Sequence, residues 1–443
     1  MAAKPQQPLF RPIEGTPTMT IALFLFVLFT TMTVGVPIAF ALMLTALALM
    51  VQLDFFDAQL LAQNVQAGFD SFPLLAVPFF ILAGELMNAG GLSRRIIDLA
   101  RSFVGHIPGG LGYVAIAASL MLASMSGSAI ADTAALATLL LPMMRKQHYP
   151  DGPSAGLIAS GGIIGPIVPP SMPMVIYGVT TNTSISKLFL AGIVPGVIMA
   201  VGLVVVWRGI TRRQTLPVAE KTTWPQRRKS LLGSAWALMM PVIIIGGLRM
   251  GLFTPTEAAV VAAVYALFVA MVVYRELTWA GAYRVLVDAS RTTGVVMFLC
   301  GAATAASYMV TLADLPNDLA KSMGPLLESP LMFMVVVSLF LLAIGMVMDL
   351  TPTILILGPV LAPLAAKAGI DPVYFGFIFI FVGCLGLLTP PVGTVLNVVA
   401  GIGGLRMAPV IRGVTPFLLV YFAMLALLLL FPAIVLWPLQ LMT

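Results

Sequence analysis

Residues 111–145 read LGYVAIAASLMLASMSGSAIADTAALATLLLPMMR. About 34 apolar residues are interrupted once, at Ser124-Met-Ser-Gly-Ser128, and carry a single carboxylate, Asp132, just beyond the interruption. Basic loops flank the stretch on both sides, with Arg94, Arg95 and Arg101 before it and Arg145 and Lys146 after it. Lys and Arg in short loops collect on the cytoplasmic side of a membrane, so both ends of the stretch are expected there. Two short crossings satisfy that condition, and so does a re-entrant helical hairpin with a polar tip. Each arm has only about 15 to 17 residues, the lower edge of what spans a bilayer, which favours the hairpin.

The rest of the chain has the same character. Of 443 residues, 60% are hydrophobic and 9% charged, which excludes a soluble fold. Apolar runs of membrane-crossing length recur throughout and leave no room for a separate soluble domain. The net charge of +6 comes from short loops and sets topology, so nucleic-acid binding is not indicated. Cys300 and Cys384 both stand in apolar runs and are expected to be packing residues. The leader 1–18 lacks the marks of a removable signal peptide, and Met19 is an alternative start.

Several landmarks recur at nearly constant separation, as an internal duplication produces. Pro37 pairs with Pro255 at an offset of 218, and Asp132 and Pro142 pair with Asp349 and Pro359 at 217. Gly165-Pro-Ile-Val-Pro-Pro170 pairs with Gly386-Leu-Leu-Thr-Pro-Pro391 at 221. The expected division is a first repeat over 19–207, a basic linker over 208–230 and a second repeat over 231–443. The first contains a hairpin at 111–145 and a broken helix at 153–178; the second contains a hairpin at 331–366 and a broken helix at 372–402.

The densest basic cluster, Arg208, Arg212, Arg213, Lys221, Arg227, Arg228 and Lys229, is placed in the cytoplasm. Forward of it, runs 231–249, 253–274 and 290–312 read as crossings, with Arg275, Arg284 and Arg291 between the last two. The acidic loop 313–330 and the second hairpin's ends then fall on the periplasmic side. Five crossings and one hairpin per half, an odd count, make the halves inverted: about ten transmembrane helices and two hairpins in an all-α polytopic protein.

Inverted repeats with interrupted helices mark secondary transporters, whose sites lie where broken helices free backbone carbonyls and amides. Such groups persist in hydrocarbon only where protein, water or an ion satisfies them. Carbonyl and hydroxyl oxygens together suit a hard monovalent cation, and the repeat implies two related sites. Asp132 and Asp349, inside apolar segments, are functional candidates; the plainer reading makes each the N-cap of its return arm. Thr394 and Asn397, beyond the second Pro-Pro pair, face either the site or a neighbouring helix. Glu257 reads as a first-turn helix residue after Pro255, Glu85 as a less easily dismissed intramembrane carboxylate, and Arg249 as a cation snorkelling to the interface. The Pro-Pro pairs read as fixing the breaks.

The strings GSAIADTAALATLLLPMM (127–144), IIGPIVPPSMPMVIYG (163–178), FTPTEAA (253–259) and GLLTPPVGTVLNVVAGI (386–402) resemble the large membrane subunit of tripartite ATP-independent periplasmic (TRAP) transporters, of the ion-transporter superfamily. The resemblance implies a sodium-driven elevator in the bacterial inner membrane, with scaffold and transport domains. It implies a small four-helix membrane subunit and a periplasmic binding protein delivering an organic acid. Sodium is then held in a first site by Ser124, Ser126, Gly127, Ser128, Gly161 and Gly165, and in a second by Gly345, Asp349, Thr351, Thr389 and Gly393. Asp132, Pro170, Ser171, Thr394 and Asn397 would contact substrate or support these ligands. No cofactor beyond the coupling ion is implied.

Three other functions compete. A stand-alone sodium-coupled dicarboxylate or anion carrier of the same superfamily would transport without partners. A membrane-embedded enzyme finds only His106 and His148, both near loops, and no HExxH or GxSxG string. A passive channel also uses backbone carbonyls, and would conduct after the sodium gradient is collapsed.

Overall fold

Glycine and proline mark where the helices begin and end. A computed structural model describes residues 17–212, 216–218 and 220–442, among which no strand occurs. The leader lies outside them up to residue 16, as does Arg213. The first half runs α1 (Pro17–Thr33), α2 (Ile38–Gln52), α3 (Ala58–Phe69), α4 (Ala76–Ala89, entered through a 3-10 turn at Phe72–Leu75) and α5 (Leu92–Val104). It continues with α6 (Gly110–Ser126), α7 (Ala129–Lys146), α8 (Asp151–Gly162), α9 (Met172–Thr180) and α10 (Ile185–Thr211). The second half opens with α11 (Trp224–Arg249), α12 (Pro255–Phe268, extended by a π turn at Val269–Val273), α13 (Trp279–Leu312), α14 (Leu315–Ser322) and α15 (Gly324–Leu327). It closes with α16 (Pro330–Gly345), α17 (Leu350–Lys367), α18 (Pro372–Leu388), α19 (Thr394–Gly403), α20 (Met407–Leu430) and α21 (Ala433–Met442).

Among the described residues, seven helical stretches are long and apolar enough to cross a membrane: 72–89, α10, α11, 255–273, α13, α17 and α20. Others, including α1, α2, α6, α16, α18 and α19, are apolar but only 10 to 17 residues long. The chain is an all-α polytopic membrane protein.

The structure corrects the reading of 275–312. Arg284 and Arg291 are not in a loop, because α13 is one helix of 34 residues. At 1.5 Å per residue it is about 51 Å long, well beyond a hydrocarbon core of about 30 Å, so charged residues near its start need not enter the apolar layer. Only Arg275 stays in the short connection. Likewise Arg208 belongs to α10, and Arg227, Arg228 and Lys229 to the first turns of α11.

The repeat register also shifts. The return arms α7 and α17 both have 18 residues, start after Ser128 and Asp349, and carry Pro142 and Pro363 at the same position. Those pairs are 221 apart, the separation already seen for the Pro-Pro strings. Asp132 therefore matches Thr353, not Asp349, and Pro142 matches Pro363, not Pro359; the 217 alignment was one helical turn off. Four residues return a helix to nearly the same face, which is why two pairings looked equally regular.

The chain forms two compact units. One comprises the described residues up to Phe69 with Phe298–Gly324. Small residues let its helices approach closely: a Cβ on Gly68 would lie 2.7 Å from the Gly301 Cα. Phe40 meets Phe298 with ring centroids 5.2 Å apart, and Cys300 is buried here.

The other unit, Asp70–Met297 with Pro325–Thr443, holds both hairpins and both broken helices. Its most enclosed elements are α8, buried from Ser154 through Gly162, and α18, buried from Val373 through Leu388. Helices apolar all round belong in an interior. α20 ties both down: Tyr421 Oη donates to the Ser160 carbonyl at 2.9 Å, and Tyr374 Oη donates to the Leu428 carbonyl at 2.9 Å. The break after α8 is buried throughout residues 163–171, whereas the break after α18 is buried at Thr389 and Gly393 but reaches the surface at Pro391 and Val392.

Candidate functional site

The first hairpin turns on the irregular pair Gly127 and Ser128, the second on the four residues 346–349. Gly127, with φ +61°, ends α6 in the left-handed conformation that glycine adopts without steric cost. Ser128 then turns extended, and its hydroxyl accepts from the Ala131 amide at 3.4 Å, capping α7. Capping thus falls to Ser128, and Asp132 sits one turn inside the helix. In the second hairpin α16 ends at Gly345, and Asp349 is the cap, its Oδ1 accepting from the Leu350 amide at 2.8 Å.

The breaks are built from short turns. After α8, the Ile164 and Gly165 amides reach back to Gly161 and Gly162 at 3.1 and 3.2 Å, and Ser171 closes the turn by donating to the Pro166 carbonyl at 2.5 Å. After α18, Thr389 Oγ1 donates to the Leu385 carbonyl at 2.6 Å, and Gly393, with φ +48°, opens α19. Asn397 donates to the Val392 carbonyl at 2.9 Å, so its amide braces the break from an exposed position. Pro169-Pro170 and Pro390-Pro391 are both cis.

The first tip and the first break come together. A Cβ on Gly127 would lie 2.8 Å from the Pro170 carbonyl oxygen and 3.0 Å from the Ser171 Cα. The Asp132 Oδ2 occupies the space that a side chain on Gly165 would need, and the Ser119 and Thr133 hydroxyls do the same at Gly161 and Gly162. Gly127, Asp132, Gly161, Gly165, Pro170 and Ser171 therefore share one buried region, with Ser128 beside them. Ser124 is buried as well, its hydroxyl donating to the Met121 carbonyl at 2.8 Å. The Ser126 side chain lies outside the described residues.

The second pair meets through backbone. A Cβ on Gly386 would sit 2.5 Å from the Gly345 Cα, and one on Gly345 would sit 3.3 Å from the Gly383 carbonyl oxygen. Thr389 lies against Gly393, whose Cβ would be 3.3 Å from its carbonyl oxygen. Asp349 and Thr351 start the neighbouring arm α17. Thr394 presents a buried Oγ1 with no hydrogen-bond partner among the described residues.

Thr133 was missed in the sequence. It is fully buried, and its hydroxyl has no partner among the described residues. Its adjacency to Asp132 was the available signal. Gly383, three residues before Gly386 on one helix face, was also missed, since its role comes from its contacts with Gly345 and Leu350 on other helices.

The two pairs interlock across the repeat. Gly403 of α19 packs against Leu141 of α7, and Gly358 of α17 against Thr181 at the end of α9, so each return arm supports the other half's exit helix. Arg145 reinforces the first contact by donating to the Gly403 carbonyl at 2.9 Å. At the hairpin base, the Trp207 indole donates to the Gly109 carbonyl at 2.9 Å and stacks on Tyr149.

The donors gathered at the first site are oxygens: a carboxylate, hydroxyls and carbonyls. Among the described residues no group of three or more His, Cys, Asp or Glu could hold a metal ion. An oxygen-only set at an interrupted backbone fits a hard cation.

An interior built on paired hairpins and broken helices is that of a membrane transporter. The Alcanivorax borkumensis YdaH transporter matches with a TM-score of 0.66 at 14% identity, over 96% of this chain and 99% of that one, which speaks to fold alone. The family model described as the tripartite ATP-independent periplasmic transporter, DctM component, matches residues 25–434, and the chain belongs to that family. It is 52% identical to the 2,3-diketo-L-gulonate TRAP transporter large permease protein of Escherichia coli, over 95% of this chain and 99% of the relative. It is 42% identical to the sialic acid TRAP transporter large permease protein of Vibrio cholerae, over 90% and 93%. With the C4-dicarboxylate large permease protein of Pseudomonas aeruginosa it shares 38% identity, over 82% and 86%. The protein is thus a multi-pass permease of the inner membrane and not an enzyme.

Proposed function

We propose that the chain is the sodium-coupled large permease of an importer for an organic acid, working with a small membrane subunit and a periplasmic binding protein. The relatives' names supply the substrate class, since diketogulonate, sialic acid and C4-dicarboxylates are all carboxylates. The observation that carries the reading is the gathering of the Asp132 carboxylate, the unpartnered Thr133 hydroxyl and the first break around Gly161 to Gly165. Sodium at the first site would be held by Gly127, Ser128, Gly161 and Gly165, with Asp132 supplying charge. At the second, Gly345, Asp349, Thr351, Thr389 and Gly393 would take that role. The coupling ion would order the break, and movement of the hairpin-bearing body against a scaffold would carry the acid across.

The test is uptake into liposomes holding this permease and its small subunit, with the binding protein and candidate carboxylates outside. Uptake requiring both the binding protein and an inward sodium gradient is expected. Uptake without added binding protein would indicate a stand-alone carrier, and uptake surviving collapse of the gradient would indicate a channel.

A further inference from the structure

A shallow crevice, open to the surroundings, lies between the N-terminal half of α10 and the last turns of α11. Ile193, Ile245 and Leu248 line it with other apolar side chains, Pro169 of the first break forms one wall, and only Ser186 and Arg249 bring polar side chains. Arg249 ends α11, is exposed, and makes no hydrogen bond or ion pair among the described residues.

We propose that this crevice binds an acyl chain of an anionic phospholipid, with the lipid phosphate on the Arg249 guanidinium. The N-terminal end of α10 and the C-terminal end of α11 lie opposite the short basic linker that joins the two helices, so Arg249 stands at a membrane interface. From Ser186 to Ile193 the lining descends seven residues, about 10 Å along the axis, toward the apolar layer. A cation at the mouth and hydrocarbon below it complement an amphiphile in that order. A soluble polyhydroxy acid is a poor match, because its hydroxyls would meet apolar walls and lose hydrogen bonds to water. Neither helix end supplies a counter-charge for Arg249 from this chain. The inference needs only the membrane placement and does not rest on sodium coupling or on the transported substrate.

The test uses the full chain in nanodiscs of phosphatidylcholine with a trace of photoactivatable phosphatidylglycerol, followed by peptide mapping of the adducts. Adducts are expected on 186–193 and 245–249, with unlabelled phosphatidylglycerol competing about fivefold better than phosphatidylcholine, as one basic contact provides. Arg249→Gln is expected to remove that preference and Arg249→Lys to keep most of it. Ile193→Trp should fill the crevice and abolish the adducts while the unfolding midpoint in detergent stays unchanged; if that variant does not fold, Ile245→Phe takes its place. Labelling spread evenly over all lipid-facing helices would overturn the proposal. So would an Arg249→Gln competition profile identical to wild type, which would leave Arg249 as a snorkelling cation. Competition by millimolar succinate would assign the crevice to a soluble acid instead.

Discussion

The carboxylate of Asp132 and the bare Cα of Gly165 are complementary: Oδ2 fills the volume where any side chain at residue 165 would begin. Gly165→Ala is therefore expected to force the hairpin arm and the break apart. Overpacking of this kind costs about 1–3 kcal/mol. Asp132→Ala in the same chain should recover the unfolding midpoint by emptying that volume, while sodium activation of uptake stays weakened by about tenfold or more, as when a supporting group is lost from an ion site. Recovery of sodium activation along with stability would show that Asp132 serves packing alone.

The two caps separate geometry from charge. Ser128→Ala removes the side-chain acceptor at the start of α7 and should lower stability by about 1 kcal/mol. Asp349→Asn keeps an acceptor, and Asn caps as well as Asp, so stability should move by no more than a few tenths of a kcal/mol. If Asp349 also serves the second ion site, the same substitution lowers sodium affinity without moving the midpoint. Thr389→Ala extends the comparison to the second break. Sodium titrations of uptake for Ser128→Ala and Thr389→Ala that both overlay wild type would sink the assignment of the hairpin tips.

How far the sequence carried can be judged at these residues. The helix ends were legible because Gly127, Gly393 and the prolines have strong conformational preferences, and the two hairpins stood out as long apolar runs each broken once. The repeat register was not, because matching Asp with Asp ignored that a Ser caps one arm and an Asp the other; each accepts from an amide in the first turn of its arm, Ala131 for Ser128 and Leu350 for Asp349. The loop reading of Arg284 and Arg291 failed because charge was taken to exclude helix, when a helix longer than the bilayer is thick can carry charge at its ends. Thr133, Gly383 and Ser119 matter through partners on other helices, and apart from the Asp132 beside Thr133 nothing local announces them.

The amphipathic α5 offers a test of how firmly a short connecting helix is held. Arg95 pairs with Glu276 at 2.5 Å, lies 3.8 Å from the centroid of the Tyr274 ring, and offers its backbone carbonyl to Ser234. The pair is partly exposed, at 28% and 43% for the two side chains, so solvent screens much of its attraction. A double-mutant cycle between Arg95→Ala and Glu276→Gln, read by thermal unfolding in detergent, should give a coupling of about 1 kcal/mol or less that shrinks in high salt. Coupling that persisted in molar salt would mean that the stacking on Tyr274, not the ion pair, holds α5.

Gly386 and Gly401 make a matched pair for the last prediction. Both are helical glycines of the second broken helix, yet a Cβ on Gly386 would lie 2.5 Å from the Gly345 Cα and 2.6 Å from its carbonyl carbon, whereas nothing lies within 4 Å at Gly401. Backbone cannot rotate away as a flexible side chain can, so Gly386→Ala must separate α16 from α18 along their shared interface. Gly401→Ala meets open space and gains helix propensity, which should stabilise by about 0.5–1 kcal/mol. The expected outcome is loss of most folded Gly386→Ala protein in detergent, and an unchanged or higher midpoint for Gly401→Ala. A Gly386→Ala variant as stable as wild type would mean that the second tip is not pressed against its break, and the second site would lose the contact that defines it.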